Sequence, residues 1–575
     1  MTYQDTYQKW LSSPALSEVE KSELRAISGD EKEIESRFFA PLEFGTAGLR
    51  GTMCTGLHNM NIHVIRHATQ AFAEVILAEG PEAVKNGVAV CHDCRNHSRE
   101  FAEEVCAVMA GNGIPSRIFE SLRPTPELSF AIRAYGCTAG VNVTASHNPK
   151  EYNGYKVYWA DGAQLPPHHA DAIARKMGEI DIFDGIRRLD YAEAVRQGLV
   201  TLMGSETDER FLEQVMGQAT DKAVVAKVAD RFKMVYTPFH GTGYRLIPEA
   251  LKRLGMKHVL CVPEQMVLDG NFPTVVSPNP ENPEGFALAV ELARKEGADF
   301  ILGSDPDADR VGIMVRDSKG DYVTLSGNQT GVLLLDYVIG AKKRMGTLPA
   351  NAAALKTIVT TEMARKVAEV NGVQMYDTFT GFKFMAEKKN ALEASGVGKV
   401  IFSYEESYGY MMGDYVRDKD AVTAALVCTE MAAWYYDRGM TLYDALQELY
   451  AKYGDYAEKT LNLVMPGLDG LAKMAKLMSD LREHPLTEIA GVGVVTRKDY
   501  ASGVEETVAT GVKAEMELKG SNVLKYKLAD GTDLIVRPSG TEPKVKVYIL
   551  AQGESRTVCD EKVDKYAAWA ETLKA

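Results

Sequence analysis

The chain has 575 residues, with 65 lysines and arginines against 79 aspartates and glutamates, and its formal net charge is −14. This length predicts about four domains, and the acidic balance argues against a broad nucleic-acid interface, because such interfaces carry a basic excess. Hydrophobic residues at 45% and charged residues at 25% are ordinary globular values, and no run reaches the ~18 apolar residues of a membrane span.

The N-terminal stretch shows no basic region followed by an apolar run, so we expect no signal peptide. The first segment with a chemical pattern is FGTAGLRG, in which Gly45, Gly48 and Gly51 bracket Arg50. Glycine lets the backbone approach a ligand closely. We therefore interpret Arg50 as a candidate ligand-binding guanidinium.

Three segments share one plan, an apolar strand, a polar turn and an amphipathic helix, and they begin near residues 87, 232 and 352. Strands that alternate with helices predict βαβ units and mostly parallel sheets. From about residue 492 the pattern changes to short strands and turns followed by a helix. We predict an α/β protein with four domains, three of them similar α/β units with mixed, mostly parallel sheets, and the last a smaller α+β domain. The predicted limits are 1–204, 205–325, 326–454 and 455–575, the last range including a linker helix.

Eight cysteines are scattered along the chain without a dense framework, which predicts reduced thiols and a cytoplasmic location. Cys91 and Cys94 form a CxxC pair. A zinc site would need a second such pair or paired histidines, and the sequence has none at suitable spacing. We favour two small buried residues at a strand end over metal or redox chemistry.

The segment GVNVTASHNPKEYNGYKVYW places Ser146 in a turn between two predicted strands. A serine in such a turn can serve as a nucleophile or phosphoryl carrier. His147 is adjacent and is not automatically its base, and the absence of G-x-S-x-G argues against a serine hydrolase elbow. Taken alone, a serine in this position is more often a turn residue or a helix cap.

The strongest local pattern is ADFILGSDPDADRVGIMV, in which an apolar strand leads into Asp305, Asp307 and Asp309. Carboxylates crowded in this way repel one another unless a hard divalent cation binds them, and we predict Mg²⁺. An EF-hand would need glycine and glutamate where Arg310 and Arg316 stand. The remaining alternative is a solvated acidic turn.

Three later segments suggest sugar and phosphate contacts. Glu405 and Ser407 in FSYEESYGYM occupy positions i and i+2 after a strand, so they can point the same way and bind vicinal hydroxyls, or be a surface loop. Lys419 in RDKD, with Arg417, can contact a phosphate or form a solvated cluster. In LIVRPSGTEPKVKVY, a guanidinium, two hydroxyls and backbone amides form a plausible phosphate cradle, with the residues Arg537, Ser539, Gly540 and Thr541.

The motifs TASHNP, GSDPDADR, EES-G and RPSGTEP, in this order, resemble the α-D-phosphohexomutase superfamily. The length, FGTAGLRG, EESYGYM and RDKD are most similar to its phosphoglucomutase type 2 branch, which includes phosphopentomutases and a glucose-1,6-bisphosphate synthase. The resemblance implies four domains around a central cleft.

The resemblance also implies residue roles. Ser146 would carry the phosphoryl group and join the aspartates around Mg²⁺; the metal ligands would be Ser146, Asp305, Asp307 and Asp309. The catalytic residues would be Ser146, Arg50, His147 and Lys156. The substrate contacts would be Arg310, Thr380, Glu405, Ser407, Lys419, Arg537, Ser539, Gly540 and Thr541. A related branch has a histidine after its sugar-loop serine (GEMSGH), but this chain has Tyr408, Gly409 and Tyr410, which leaves the general base open.

The implied reaction interconverts α-D-glucose 1-phosphate and glucose 6-phosphate through a phosphoserine and glucose 1,6-bisphosphate. The expected partners are small phosphosugars, with no nucleic acid or membrane, in a monomer or homodimer. Phosphomannomutase, phosphopentomutase or bisphosphate-synthase activity stays an alternative, as does a metal-dependent sugar phosphatase. A non-catalytic scaffold is disfavoured, because it would be expected to have lost Ser146 or an aspartate.

Overall fold

The computed structural model describes residues 2–45, 48–465, 470–539 and 544–574. Its helices, in chain order, are α1 (Tyr3–Ser12), α2 (Glu18–Ala26), α3 (Glu31–Phe38), α4 (Ile62–Ala78), α5 (Pro81–Asn86), α6 (Ser98–Gly111), α7 (Thr125–Ala134), α8 (Pro167–Glu179), α9 (Tyr191–Arg196), α10 (Ser205–Met216), α11 (Lys222–Val228), α12 (Gly243–Leu254), α13 (Ala287–Glu296), α14 (Gly327–Arg344), α15 (Met363–Val370), α16 (Phe382–Ala394), α17 (Ala421–Asp437), α18 (Leu442–Tyr453), α19 (Gly470–Glu483) and α20 (Arg556–Glu571).

The strands, in chain order, are β1 (Gly48–Thr52), β2 (Val88–His92), β3 (Ser116–Phe119), β4 (Ala139–Val143), β5 (Tyr152–Trp159), β6 (Val200–Met203), β7 (Met234–Thr237), β8 (Val259–Cys261), β9 (Phe300–Ser304), β10 (Val311–Arg316), β11 (Tyr322–Leu325), β12 (Ala352–Thr357), β13 (Gln374–Thr378), β14 (Lys399–Glu405), β15 (Gly409–Met411), β16 (Asp455–Val464), β17 (Glu488–Ile489), β18 (Val492–Asp499), β19 (Val504–Thr507), β20 (Val512–Glu515), β21 (Leu524–Leu528), β22 (Asp533–Pro538) and β23 (Lys544–Gly553). The chain divides into two compact units, residues 1–325 with 408–441, and residues 326–407 with 442–575.

The first sheet of the first unit has the order β1-β5-β4-β2-β3-β6, with β4, β2, β3 and β6 parallel and β1 and β5 antiparallel. Strands β2 and β4 are buried along their whole length because helices cover both faces of a parallel sheet. On α6, the apolar residues Phe101, Val105 and Met109 recur at helical spacing and are buried. None of the eight cysteines, all within the described ranges, forms a disulfide, and Cys91 is a buried residue of β2.

The second sheet of this unit has the order β11-β10-β9-β7-β8. Strands β7, β8 and β9 are parallel, whereas β9 and β10 form an antiparallel hairpin whose turn holds the three predicted metal-binding aspartates. The late segment of this unit contributes α17, which is buried almost all round and packs against α11 and α12. Asp420 caps α17 by accepting from the backbone N–H groups of Val422 and Thr423.

The second unit contains parallel strands in the order β13-β12-β14, with α14, α15 and α16. It also contains an antiparallel sheet in the order β16-β23-β22-β21-β18-β19-β20, with β17 on β18 and α20 packed on β16 and β23. These sheets confirm the predicted α/β class with a C-terminal α+β part. Strand β16 precedes the linker helix and was not predicted. Among the described residues, no helix is both long and apolar enough to cross a membrane.

Candidate active site

Ser146 lies in the turn after β4, and its side chain is buried. Its Oγ donates a hydrogen bond to Asp305 Oδ2 at 3.0 Å and lies 3.2 Å from His147 Nδ1. Its backbone N–H donates to Thr144 Oγ1 at 2.9 Å. With φ at 53°, Ser146 adopts a left-handed conformation that non-glycine residues rarely hold without support from their surroundings. The fold therefore presents this hydroxyl directly to the acidic turn.

Asp305, Asp307 and Asp309 are buried in the turn between β9 and β10, and each can offer an oxygen within 4.8 Å of the others. The turn is closed by the backbone N–H groups of Asp309 and Arg310, which donate to Asp305 Oδ1 at 3.1 and 2.9 Å. The apolar strands on both sides force this turn to be buried rather than solvated. The alternative of a solvated acidic turn is therefore wrong.

Two lysines neutralise part of this charge. Lys156 Nζ lies 2.6 Å from Asp307 Oδ2 and 3.3 Å from Asp309 Oδ2, and Lys419 Nζ lies 3.2 Å from Asp309 Oδ2. Burial opposes ionisation, yet Lys419 and Lys156 hold the pKa of Asp309 well below its usual range. Burial and the two neighbouring carboxylates raise the pKa of Asp305. Although burial disfavours its charge, Asp307 and Asp309 raise the pKa of Lys156.

The donor set fits a hard divalent cation. Asp307 Oδ1 and Asp309 Oδ1 are buried and have no hydrogen-bond partner among the described residues. Buried carboxylate oxygens without partners are costly, and a metal ion would satisfy them. Oxygen-only donors suit Mg²⁺ rather than a softer metal. Asp305 can offer an oxygen to the same cation, and the Ser146 hydroxyl lies 3.0 Å from Asp305 Oδ2.

Thr125, which begins α7, contacts the acidic turn and was not predicted. Its backbone N–H donates to the Asp307 carbonyl oxygen at 2.8 Å, and its Oγ1 donates to Asp307 Oδ2 at 2.9 Å. Asn142 Nδ2 on β4 donates to Thr125 Oγ1 at 2.8 Å. The sequence clue was the Pro-Thr-Pro turn that leads into a helix after a buried strand, since Pro at a helix start is common.

Arg50, His147 and Arg310 lie around the serine. Arg50 on β1 is exposed, and its Nη1 donates to Asn148 Oδ1 at 3.1 Å. Arg310 Nη1 lies 3.3 Å from Glu281 Oε1. Burial, with Arg310 and Arg50 nearby, lowers the pKa of His147 well below its ordinary value.

The RDKD segment is buried, so a solvated charge cluster is wrong for Arg417 and Lys419. Asp418, which was not singled out from the sequence, accepts from Tyr158 OH at 3.0 Å and lies 3.2 Å from Lys419 Nζ. The carboxylate thereby orients Lys419 toward the acidic turn. Arg417 Nη1 donates to the carbonyl oxygens of Asp414 and Val416, a structural role within its own loop.

The predicted sugar residues lie in the second unit. Glu405 is buried, and its Oε1 accepts from the backbone N–H of Gly381 at 2.6 Å. Gly381 has φ at 116°, which a side chain would strain. Thr380 Oγ1 is buried with no hydrogen-bond partner within the described part of the chain. Ser407 is half-buried. Thr380 follows the end of β13, Glu405 ends β14, and Ser407 lies two residues beyond it.

Arg537 and Ser539 lie at the end of β22, also in the second unit. They border a cleft of about 310 Å³ whose lining residues are Met474, Ala475, Ser521, Asn522, Arg537, Pro538 and Ser539. The Ser539 N–H donates to the carbonyl oxygen of Lys544 at 2.8 Å. Gly540 and Thr541, predicted members of the same cradle, lie outside the described residues.

Four sequence families match along the chain. They are phosphoglucomutase/phosphomannomutase alpha/beta/alpha domain I over residues 41–182, domain II over 209–320, domain III over 326–453, and the C-terminal domain over 472–564.

Curated relatives include a phosphoglucomutase of Staphylococcus epidermidis, 34% identical over 526 residues and covering 91% of this chain and 93% of the relative. A phosphoglucomutase of Staphylococcus aureus is 34% identical over 530 residues, and the match covers 90% of this chain and 91% of the relative.

Among solved structures, a phosphoglucomutase/phosphomannomutase family protein from Burkholderia thailandensis has a TM-score of 0.66 at 18% identity, covering 92% of this chain and 97% of that one. Parafusin, a phosphoglucomutase from Paramecium, also has a TM-score of 0.66 at 18% identity, with 92% and 96% covered. The structures share the fold, and the sequence matches extend over most of the chain. The chain belongs to the phosphoglucomutase/phosphomannomutase family.

Proposed function

We propose that the protein is a phosphoglucomutase that interconverts α-D-glucose 1-phosphate and glucose 6-phosphate. The observation that carries this proposal is the buried Ser146 hydroxyl, which donates to Asp305 at 3.0 Å inside a three-aspartate turn. The names of the curated relatives support glucose as the sugar. The reaction would pass through a phosphoserine and glucose 1,6-bisphosphate.

Ser146 would donate its phosphoryl group to the free hydroxyl of the sugar phosphate and take back the other phosphoryl group after the bisphosphate has turned. A Mg²⁺ ion held by Ser146, Asp305, Asp307 and Asp309 would supply charge neutralisation for the transferring group. Burial of the serine excludes water, which protects the phosphoserine from hydrolysis.

The surrounding groups have distinct tasks in this proposal. Arg50, an exposed residue of β1, would contact the transferring phosphoryl oxygens. His147, whose Nδ1 lies 3.2 Å from Ser146 Oγ, would orient the serine or take part in proton transfer there. Lys156 and Lys419 would hold the aspartates in place, and Arg310 would contact the phosphoserine or the sugar.

The second unit would recognise the substrate. Glu405 and Ser407 would bind sugar hydroxyls, with Thr380 beside them. The non-transferring phosphate would bind at the cleft of Arg537 and Ser539, and Gly540 and Thr541 are proposed to complete it. A guanidinium at the border of a cleft is suited to bidentate phosphate contact.

We assign one task to each domain predicted from the sequence: the serine loop to residues 1–204, the metal turn to 205–325, the sugar loop to 326–454 and the phosphate loop to 455–575. Phosphosugars are the proposed partners. The cytoplasmic location and the monomeric or homodimeric state remain predictions.

The test is conversion of glucose 1-phosphate in the presence of Mg²⁺ and catalytic glucose 1,6-bisphosphate, by the wild type and by Ser146→Ala. We expect glucose 6-phosphate from the wild type, little inorganic phosphate, and nearly no turnover by the variant. Ser116→Ala, which changes a buried serine on β3, is the matched control and should retain activity. Wild-type turnover by Ser146→Ala would refute the mechanism, and stoichiometric phosphate release would indicate a phosphatase.

A panel of glucose, mannose, ribose and deoxyribose 1-phosphates tests the sugar. We expect the highest kcat/KM for glucose 1-phosphate. A tenfold or greater preference for mannose or a pentose would replace the glucose assignment by the corresponding mutase.

A further inference from the structure

The turn after β2 carries a buried arginine that holds the serine loop from behind. Arg95 has a fully buried side chain. Its Nη2 donates to the carbonyl oxygens of Ser146, at 2.6 Å, and Asn148. Its Nη1 donates to those of Pro149, at 2.8 Å, and Tyr152, at 3.0 Å. One guanidinium therefore binds four backbone carbonyl oxygens along the segment from Ser146 to the start of β5.

Asp93 orients this arginine and reaches the serine by a second route. Asp93 Oδ2 forms an ion pair with Arg95 Nε at 3.2 Å, and its Oδ1 accepts from the Arg95 backbone N–H at 2.9 Å. Asp93 Oδ2 also accepts from Thr144 Oγ1 at 2.7 Å, and Thr144 Oγ1 in turn accepts from the Ser146 N–H. Asp93 is thus connected to the Ser146 backbone N–H through Thr144 and to the Ser146 carbonyl oxygen through Arg95.

A loop from the second α/β segment covers the same arginine. The ring of Phe272 lies over the Arg95 guanidinium, 5.1 Å from its ring centroid to the guanidinium carbon. A side chain at Gly270 would come within 2.4 Å of the Asn96 backbone nitrogen, so only glycine allows this approach. The guanidinium is fully buried between the serine loop and this second loop.

Ser146 needs such support because its backbone is in the left-handed region. A small displacement of the loop would move Oγ away from Asp305, and a misplacement of about 1 Å is enough to cost about 100-fold in rate. Lysine cannot replace the arginine, because its ammonium is a point donor without the planar fork that spans separate carbonyls.

We propose that Arg95, oriented by Asp93, is a positioning residue for Ser146, fixing the loop so that the serine oxygen stays against the acidic turn. The inference rests on the proposed function of Ser146 as the phosphoryl carrier. A positioning role differs from a general folding role in its effect on kcat and KM. Loop positioning should alter the transfer step, and with it kcat, while substrate binding by the second unit, and with it KM, is unchanged.

The test compares Arg95→Lys with Arg99→Lys. Arg99 is a matched control because it also donates to backbone carbonyls in this sheet, those of Phe119 and Glu120, but does not contact the serine loop. For each variant the measurements are kcat and KM for glucose 1-phosphate with Mg²⁺, the rate of Ser146 phosphorylation by glucose 1,6-bisphosphate followed by intact mass, and the melting temperature.

We expect Arg95→Lys to lower kcat and the phosphorylation rate by about 100-fold with KM changed less than about threefold. Arg99→Lys should keep kcat within about threefold. A wild-type kcat and a wild-type phosphorylation rate in Arg95→Lys would overturn the inference. A lower melting temperature with an unchanged kcat would also overturn it, because it would show a purely structural role.

Asp93→Asn keeps the shape of the side chain and serves if Arg95→Lys does not fold. Because Asp93 contacts Arg95, Thr144 and Ser98, removal of its charge should still lower kcat by about tenfold without raising KM. Unchanged kcat in this variant would overturn the inference. A wild type that fails to form glucose 6-phosphate would refute the proposed function instead, whereas an active wild type with unaffected variants would refute only the positioning role.

Discussion

Replacement of Lys156 by methionine removes one of the two ammonium groups that neutralise the buried aspartates. Methionine fills a similar length without charge. In the folded protein, Lys156 Nζ lies 2.6 Å from Asp307 Oδ2 and 3.3 Å from Asp309 Oδ2, and all three side chains are buried. The substitution therefore removes the ammonium that lies against Asp307 and Asp309, and it leaves Lys419 Nζ at 3.2 Å from Asp309 Oδ2.

The magnitude follows from this geometry. At an effective dielectric constant of about 20, unit charges about 3 Å apart attract by about 5 kcal/mol, and the desolvation of the ammonium offsets a large part of this attraction. Removal of one partner from a buried ion pair costs about 3–5 kcal/mol, because the remaining charge is uncompensated. We expect a loss of this size in the free energy of unfolding when no metal is present.

Magnesium should recover part of the loss. An ion that binds only the folded state adds about 2.7 kcal/mol at a concentration 100 times its Kd, and in the variant it no longer competes with the Lys156 ammonium. The gain on adding Mg²⁺ should therefore be larger for Lys156→Met than for the wild type.

The assay is urea denaturation in EDTA and in excess Mg²⁺. Lys9→Met is the control, because Lys9 Nζ is paired with Asp181 at 2.8 Å but its side chain is 45% exposed, and such pairs contribute about 0–1 kcal/mol. Unfolding free energies of Lys156→Met and the wild type within about 1 kcal/mol in EDTA, with equal gains from Mg²⁺, would refute the reasoning.

Three further predictions concern other residues. Asp307→Asn should raise the Mg²⁺ concentration for half-maximal activity by at least about tenfold, since a ligand is lost, and an unchanged Mg²⁺ titration would exclude Asp307 as a ligand. Arg537→Ala should raise KM by about 10–100-fold with little change in kcat, because a charged phosphate contact contributes about 1.5–3 kcal/mol; a KM within about twofold of wild type would contradict its role. Glu127 is buried, and burial together with Asp208 raises its pKa well above the ordinary 4.5, with Arg123 opposing. The unfolded chain therefore releases this proton at lower pH than the folded protein, so the wild-type free energy of unfolding falls as pH rises above about 4.5. Glu127→Gln has no proton to release, and its stability relative to wild type should increase between about pH 5 and 8. Urea midpoints of the two proteins that stay parallel over that range would contradict this prediction.

Local patterns in the sequence were sufficient to predict much of the fold and the acidic turn. Strand and helix periodicities predict buried strands and one-sided helices directly. The apolar strands on both sides of the three carboxylates favoured a metal-binding turn, and the structure shows that this turn is buried. The serine turn was recognised in the same way. Strand β16 was missed because its alternation is weak and its pairing with β23 spans the linker helix, so no local pattern reveals it.

The roles of the sugar and phosphate residues remain predictions from resemblance, and the domain limits remain predictions from the sequence pattern. Arg537 borders a cleft and Glu405 is buried against the Gly381 N–H, but their sequence neighbourhoods alone are equally typical of ordinary loops. Gly540 and Thr541 lie outside the described residues.

The sequence by itself determined the fold class, the nucleophile candidate and the candidate metal-binding turn, because these depend on residue type and short spacing. Only the tertiary structure decided what surrounds them. Ser146 and Asp305 are 159 residues apart, and Thr125 and Asp307 are 182 apart. Arg95 and Asp418 likewise act through contacts made by distant elements. Such contacts depend on which strand and helix ends meet in space, and packing of the whole first unit, not any local pattern, sets that arrangement.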